Sequence, residues 1–149
     1  MEQLDTDASG EAGRDVVYIP VSWGELIDKI TILEIKAARI PEPGKLDHVQ
    51  RELTALRAVR DREGPISEAA ARAAAALARV NLALWDVEDA LRSLEREGRF
   101  DAEFLDLARS VYRHNDRRAA LKRRISLLMG SGFVEEKFYC GDRAAKSAG

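Results

Sequence analysis

Ser22-Trp23-Gly24-Glu25-Leu26-Ile27-Asp28-Lys29-Ile30-Thr31-Ile32-Leu33-Glu34-Ile35-Lys36 is the stretch whose reading decides the fold. Ser22 and Glu25 fit the S-x-x-E capping box, so a helix begins here. At about 100° per residue, Leu26, Ile30, Leu33, Ala37 and Ile40 form one apolar face. Ile27, Ile35 and Ala38 form a second apolar side, and Glu25, Asp28, Lys29, Lys36 and Arg39 run between the two, with Ile32 among them. A helix that is apolar on two sides is covered on two sides. The segment therefore reads as a central helix whose charged stripe is walled in.

Three further helices follow outward from it. The first helix, 22–40, stops at Pro41-Glu42-Pro43-Gly44. Leu46, Val49, Leu53 and Leu56 repeat at helical spacing within a second helix, 45–62, which Gly64-Pro65 ends. Ser67 caps a long third helix reaching Glu97, with Gly98 as its stop. Asp101 caps a fourth that continues to Met129 before Gly130-Ser131-Gly132. Two short stretches are strand candidates that can pair with each other: 16–21, with Val17, Ile19 and Val21 on one side, and 134–140, which alternates apolar and polar residues. The expected fold is mainly α: a four-helix antiparallel bundle or paired helical hairpins, with possible short terminal β-strands. Residues 16–140 form one domain between tails at 1–15 and 141–149, the first of them acidic and both read as disordered.

Composition narrows the function classes. The 149 residues are 46% hydrophobic and 34% charged with four prolines, the profile of one helix-rich domain with a real core. A net charge of −2 argues against a protein that coats nucleic acid. Arg113, Arg117, Arg118, Lys122, Arg123 and Arg124 lie close together but spread around their helix, which reads as a solvated face. The single cysteine, Cys140, fits a reducing compartment, the N-terminus lacks a signal-peptide layout, and no apolar run approaches a membrane span. A cytoplasmic protein is expected.

Two stretches resemble a family of short, mainly bacterial proteins of unknown function. That family opens with SWGELIDKITILEIK, matched by residues 22–36, and closes with a GSxxVEEK segment, matched by Gly130-Ser131-Gly132-Phe133-Val134-Glu135-Glu136-Lys137. Leu84-Trp85-Asp86-Val87-Glu88-Asp89, Phe100-Asp101, Leu107-Ala108-Arg109-Ser110-Val111-Tyr112 and Asn115-Asp116-Arg117 are similar to it as well. The resemblance spans nearly the whole chain and implies no particular activity.

The candidate site comes from polar residues on apolar helix faces. In the third helix Asn81, Trp85, Glu88 and Arg92 form an i, i+4, i+7, i+11 ladder along the stripe of Leu77, Val80, Leu84, Val87 and Leu91. In the fourth, Asn115 and Lys122 lie in the middle of the face made by Phe104, Ala108, Val111, Ile125 and Met129. Buried polar groups need partners, so Glu88 is expected to pair with Lys122, and the Glu25/Asp28/Lys29 stripe with either. Arg109, Tyr112 and Asp116 form a smaller cluster in which Arg109 can grip a carboxylate or phosphate. His48, His114 and Cys140 are isolated, and cations crowd the carboxylates of Glu25, Asp28 and Asp86 to Asp89, so neither a metal nor another cofactor is expected.

Two functional readings remain open. In the first, a polar site inside the bundle binds an anionic, phosphorylated or carboxylated, small molecule. Lys29, Lys36, Arg92, Arg109 and Lys122 hold the anion, beside Asn81, Tyr112 and Asn115. Glu25, Asp28 or Glu88 is then the candidate acid or base, its pKa raised by burial. In the second, the protein is an interaction or homodimerisation module and the buried polar ladder is purely structural. The Ala-rich start of the long third helix suits close helix packing, and the helix as a whole invites a partner chain.

Overall fold

The computed structural model describes residues 15–138. The expected tails, apart from Asp15, and the end of the second strand candidate at Tyr139 and Cys140 lie outside them. Four helices make up the described chain: α1 (Trp23–Arg39), α2 (Pro43–Glu63), α3 (Glu68–Arg96) and α4 (Ala102–Leu128). Ser22, Ser67 and Asp101 cap α1, α3 and α4, each side-chain oxygen accepting a first-turn N–H. α1 ends at Ile40, whose extended backbone is what a residue before proline prefers. α2 starts at Pro43, two residues earlier than expected. A proline in the first turn loses no hydrogen bond, so only Pro41 of the Pro-Glu-Pro-Gly stretch acts as a breaker. Gly98 and Gly130, at φ 66° and 67°, supply the left-handed residue that closes α3 and α4.

The helices pack as two paired hairpins. α2 packs on α1 alone, α3 and α4 pack along each other, and α1 touches all three. Its position between the hairpins follows from its two apolar sides. Leu26, Ile30 and Leu33 close on Leu53 of α2, flanked by Val49, Leu56 and Val59. On the other side Ile27 meets Ala73, Leu77 and Ile125, where small residues of α3 admit close approach. Leu77 and Ile125 are wholly buried, contributing about 1.5–3 kcal/mol each through the hydrophobic effect. α1 runs parallel to α3, with Asp28 beside Asn81 and Arg39 beside Asp86. It runs against α4, with Gly24 beside Ser126 and Asp28 beside Arg118.

Neither strand candidate is a strand among the described residues. Residues 16–21 have no regular structure and are exposed, with Val17 at 86% and Tyr18 at 82% accessibility. Residues 133–138 have no regular structure. Side chains of this closing segment tie it to α1 and α4: Glu135 is held by Ser22 and Ser126, and Lys137 by Asp116. The alternating pattern was local, and these anchors take the place of strand pairing. No helix among the described residues is long and apolar enough to cross a membrane.

Candidate functional site

The seam between α1 and α4 begins where the two backbones come closest. A Cβ on Gly24 would lie 2.2 Å from the Lys122 carbonyl oxygen, so only glycine fits. Three serine hydroxyls accept the first-turn N–H groups of α1: Ser131 from Trp23 (2.9 Å), Ser126 from Gly24 (2.9 Å) and Ser22 from Glu25 (3.0 Å). Ser22 and Ser126 in turn donate to the two carboxylate oxygens of Glu135 (2.6 and 3.2 Å). A carboxylate at this end of α1 also meets the positive pole of the helix dipole. The expected capping box is half formed. Ser22 plays its part, but the Glu25 carboxylate turns away to take the Lys122 ammonium at 2.7 Å.

One turn along α1 lies Asp28, 1% exposed. Arg118 grips it in a two-pronged contact, Nε to Oδ1 at 2.9 Å and Nη2 to Oδ2 at 2.6 Å. Asn81 Nδ2 donates to Oδ1 (3.0 Å) and to the Thr31 hydroxyl (2.9 Å), and that hydroxyl donates to the Asp28 carbonyl (2.8 Å). Burial pushes the Asp28 carboxyl upward, but the hydrogen bonds from Arg118 and Asn81 and the charges of Arg118 and Lys122 outweigh it. Its pKa is held below the ordinary value. The hydrogen bonds that Arg118 donates to Asp28 raise its own pKa. The expectation that burial lifts this carboxylate toward neutrality is therefore reversed: Asp28 is a fixed anion with both oxygens engaged. No buried side-chain nitrogen or oxygen among the described residues lacks a partner.

Arg118 is where this closed network meets solvent. It lines two hollows. One, of about 270 Å³, is also lined by Asn115, Lys122 and Lys137. The other is a groove of about 520 Å³ walled by Ile32, Ile35, Leu84 and Trp85, with exposed Glu88, Asp89 and Arg92 at its edge. Asp28 uses Nε and Nη2 of Arg118, which leaves Nη1. Lys122 gives one of its three donors to Glu25, and the Asn115 side chain has no hydrogen bond among the described residues. The smaller hollow is rich in donors and poor in acceptors.

The expected site residues divide accordingly. Asp28 and Asn81 belong to the buried network, Glu25 and Lys122 form the adjacent pair, and Asn115 lines the donor-rich hollow. Of the expected pairings of Lys122, the one with the α1 stripe forms, at Glu25, and the one with Glu88 does not: Glu88 faces Arg92 one turn away at 3.7 Å on the exposed surface of α3. The ladder of Asn81, Trp85, Glu88 and Arg92 is thus buried only at Asn81; Trp85 is half-buried in the groove wall, and Glu88 and Arg92 edge the groove. Lys29 points elsewhere, in an exposed pair with Glu52 of α2 (3.2 Å). Lys36, in the last turn of α1, lines neither hollow. Arg109 and Tyr112 are exposed on α4, and Asp116, the third member of their expected cluster, is bonded to Lys137. The ring of Tyr112 stacks under Arg113 instead.

In the sequence Arg118 is one cation of a run spread around its helix. Its position three residues after Asn115 and four before Lys122 is the signal that places all three on one stripe. Among the described residues no three His, Cys, Asp or Glu side chains gather as metal ligands. No family model, curated protein or solved structure matches the chain.

Proposed function

We propose that the protein binds a small oxyanion at the Arg118 seam, with Arg118 Nη1, the Asn115 amide and the Lys122 ammonium as donors. The observation that supports this reading is the surplus of donors around one hollow, beside a buried carboxylate that fixes the Arg118 guanidinium in place. Asp28 serves as a positioning group and not as an acid or base, because it stays ionised and fully engaged. The work is binding, in a cytoplasmic setting. Membership of the family that residues 22–36 and 130–137 resemble belongs to the same proposal and brings no activity with it. Titration with inorganic phosphate, followed by thermal unfolding, tests the site. A rise in Tm that is lost in Asn115→Ala and kept in Lys29→Ala supports it. No rise at millimolar phosphate, or a rise that Asn115→Ala leaves intact, refutes it.

A second reading is favoured by a different observation. Val16, Val17, Tyr18, Ile19 and Val21 form a contiguous apolar segment, all of it exposed. Covering such a segment is what a homodimerisation or interaction module does. Sedimentation of the intact chain against a Tyr18→Ser/Ile19→Ser variant checks it: a dimer that the variant dissolves supports this reading, and a monomer at 100 μM removes it.

A further inference from the structure

Resting on the oxyanion reading, we infer that the ligand is charged at one end only and carries an apolar body, an aromatic or branched hydrocarbon, that lies in the groove against Trp85. Three features lead there. Arg118 lines both hollows, so a head bound at its outer nitrogen has the groove beside it. Between the Asn81 amide, which shares Asp28 with Arg118 at one end, and the charged far edge, the groove walls are Ile32, Ile35, Leu84 and Trp85, none of which offers an acceptor and only one of which, the indole N–H, offers a donor. Apolar walls with a few convergent polar groups at one end are the usual form of a small-molecule site, and about 520 Å³ lies within the usual size range.

The third feature sets the direction. Beyond Trp85 the groove is edged by Glu88 and Asp89 together with Arg92. Glu88 faces Arg92 at 3.7 Å, so that cation is already partly neutralised and Asp89 leaves the edge net negative. A second anionic group at the far end would meet that charge, while a neutral or cationic end would not. Dicarboxylates and bisphosphates are disfavoured on this ground. The groove's length agrees: Asn81 to Arg92 on α3 spans eleven residues, about 16 Å at 1.5 Å per residue. That is room for a ring and a short chain.

Four probes separate the elements of this inference: inorganic phosphate, phenyl phosphate, 4-phenylbutyrate and the neutral 4-phenylbutanol. Each is titrated into the intact ¹⁵N-labelled protein. The indole N–H signals of Trp23 and Trp85 are followed, the latter assigned by its loss in Trp85→Phe. Phenyl phosphate and 4-phenylbutyrate are expected to shift the Trp85 signal, and phenyl phosphate to half-saturate at least tenfold below inorganic phosphate. Their relative affinities tell whether the head is a phosphate or a carboxylate; either supports the inference. Trp85→Ala is expected to remove the tenfold advantage while inorganic phosphate binds that variant as before. Equal affinity for phosphate and phenyl phosphate overturns the apolar body but leaves the oxyanion site standing. Binding of 4-phenylbutanol as tight as that of 4-phenylbutyrate overturns the linkage of head to body. Binding of none of the four overturns both this inference and the reading beneath it.

Discussion

Replacing Arg118 with methionine tests the centre of the seam, because the outcome depends on both the size of the loss and its pH dependence. Asp28 is 1% exposed and accepts three side-chain hydrogen bonds, two from Arg118 and one from Asn81. Arg118→Met keeps most of the apolar stem and removes two of the three bonds and the compensating charge. Removing one partner of a buried ion pair costs about 3–5 kcal/mol. The Arg118 side chain is 30% exposed, so the low end applies, about 3 kcal/mol, or about 6–12 °C in Tm for a domain of this size. In the parent, the depressed Asp28 pKa means the folded state binds fewer protons than the unfolded chain in acid. Its stabilisation is therefore complete above the ordinary carboxylate range and is lost as pH falls below about 4 toward the folded pKa. In the variant, burial acts with far less opposition and the folded pKa rises above the unfolded one. The folded state then binds more protons, so the loss is smaller at pH 5 than at pH 7. Calorimetry at both values measures the two effects. A Tm drop of under 2 °C at pH 7, or a larger drop at pH 5, refutes the reasoning. Asp28→Asn combined with Arg118→Met leaves no bare charge and is expected to be more stable than Arg118→Met alone.

Other perturbations follow from the same seam. Gly24→Ala places a Cβ 2.2 Å from the Lys122 carbonyl, a backbone atom that cannot swing aside. The overpacking outweighs the roughly 1 kcal/mol of helix propensity gained, for a net loss of about 2 kcal/mol in urea unfolding. Gly44→Ala, with nothing within 4 Å, is the matched control and is expected to lose nothing. Ser126→Ala removes a fully buried hydroxyl that accepts from the Gly24 N–H and donates to the partly buried Glu135, a loss of about 1–3 kcal/mol by the same assay. Lys29→Ala breaks only an exposed pair with Glu52 and is expected to change stability by under about 1 kcal/mol.

The two apolar sides of α1 were legible because periodicity is a property of one helix: Leu26, Ile30 and Leu33 do face α2, and Ile27 faces α3 and α4. Asn81 was legible for the same reason, a polar residue in the middle of an apolar stripe. Which polar residue meets which was not. Both Glu88 and the Glu25/Asp28/Lys29 stripe are expected partners of Lys122, and the choice of Glu25 depends on how far α4 slides along α1, an offset that no single-helix pattern encodes. Arg118 was hidden by its neighbours. Five other cations nearby blur its face, although its spacing to Asn115 and Lys122 singles it out once those two are taken as the reference. The terminal strand candidates show the opposite failure. In the closing candidate Glu135 and Lys137 bind through side chains, and nothing local reveals that.

The positions in the opening stretch answer to separate physical demands. At its start, Ser22, Gly24 and the first N–H groups of α1 are met by Ser126, Ser131 and Glu135, residues more than a hundred positions away. That end is a clasp: it closes the chain on itself, satisfies a helix terminus and requires glycine for the approach. A ligand there would have to displace Glu135, so the clasp is a poor place for a site. One turn later Asp28 and Thr31 do something else. They take no part in the clasp, and they hold Arg118 at the edge of open space through Asn81 and a two-pronged contact. Packing alone does not require this, because a buried ion pair is often replaceable by apolar residues without loss of stability. What the pair does provide is a guanidinium in a fixed orientation with one nitrogen turned out of the network, and a fixed donor is worth more to a binding site than to a helix interface.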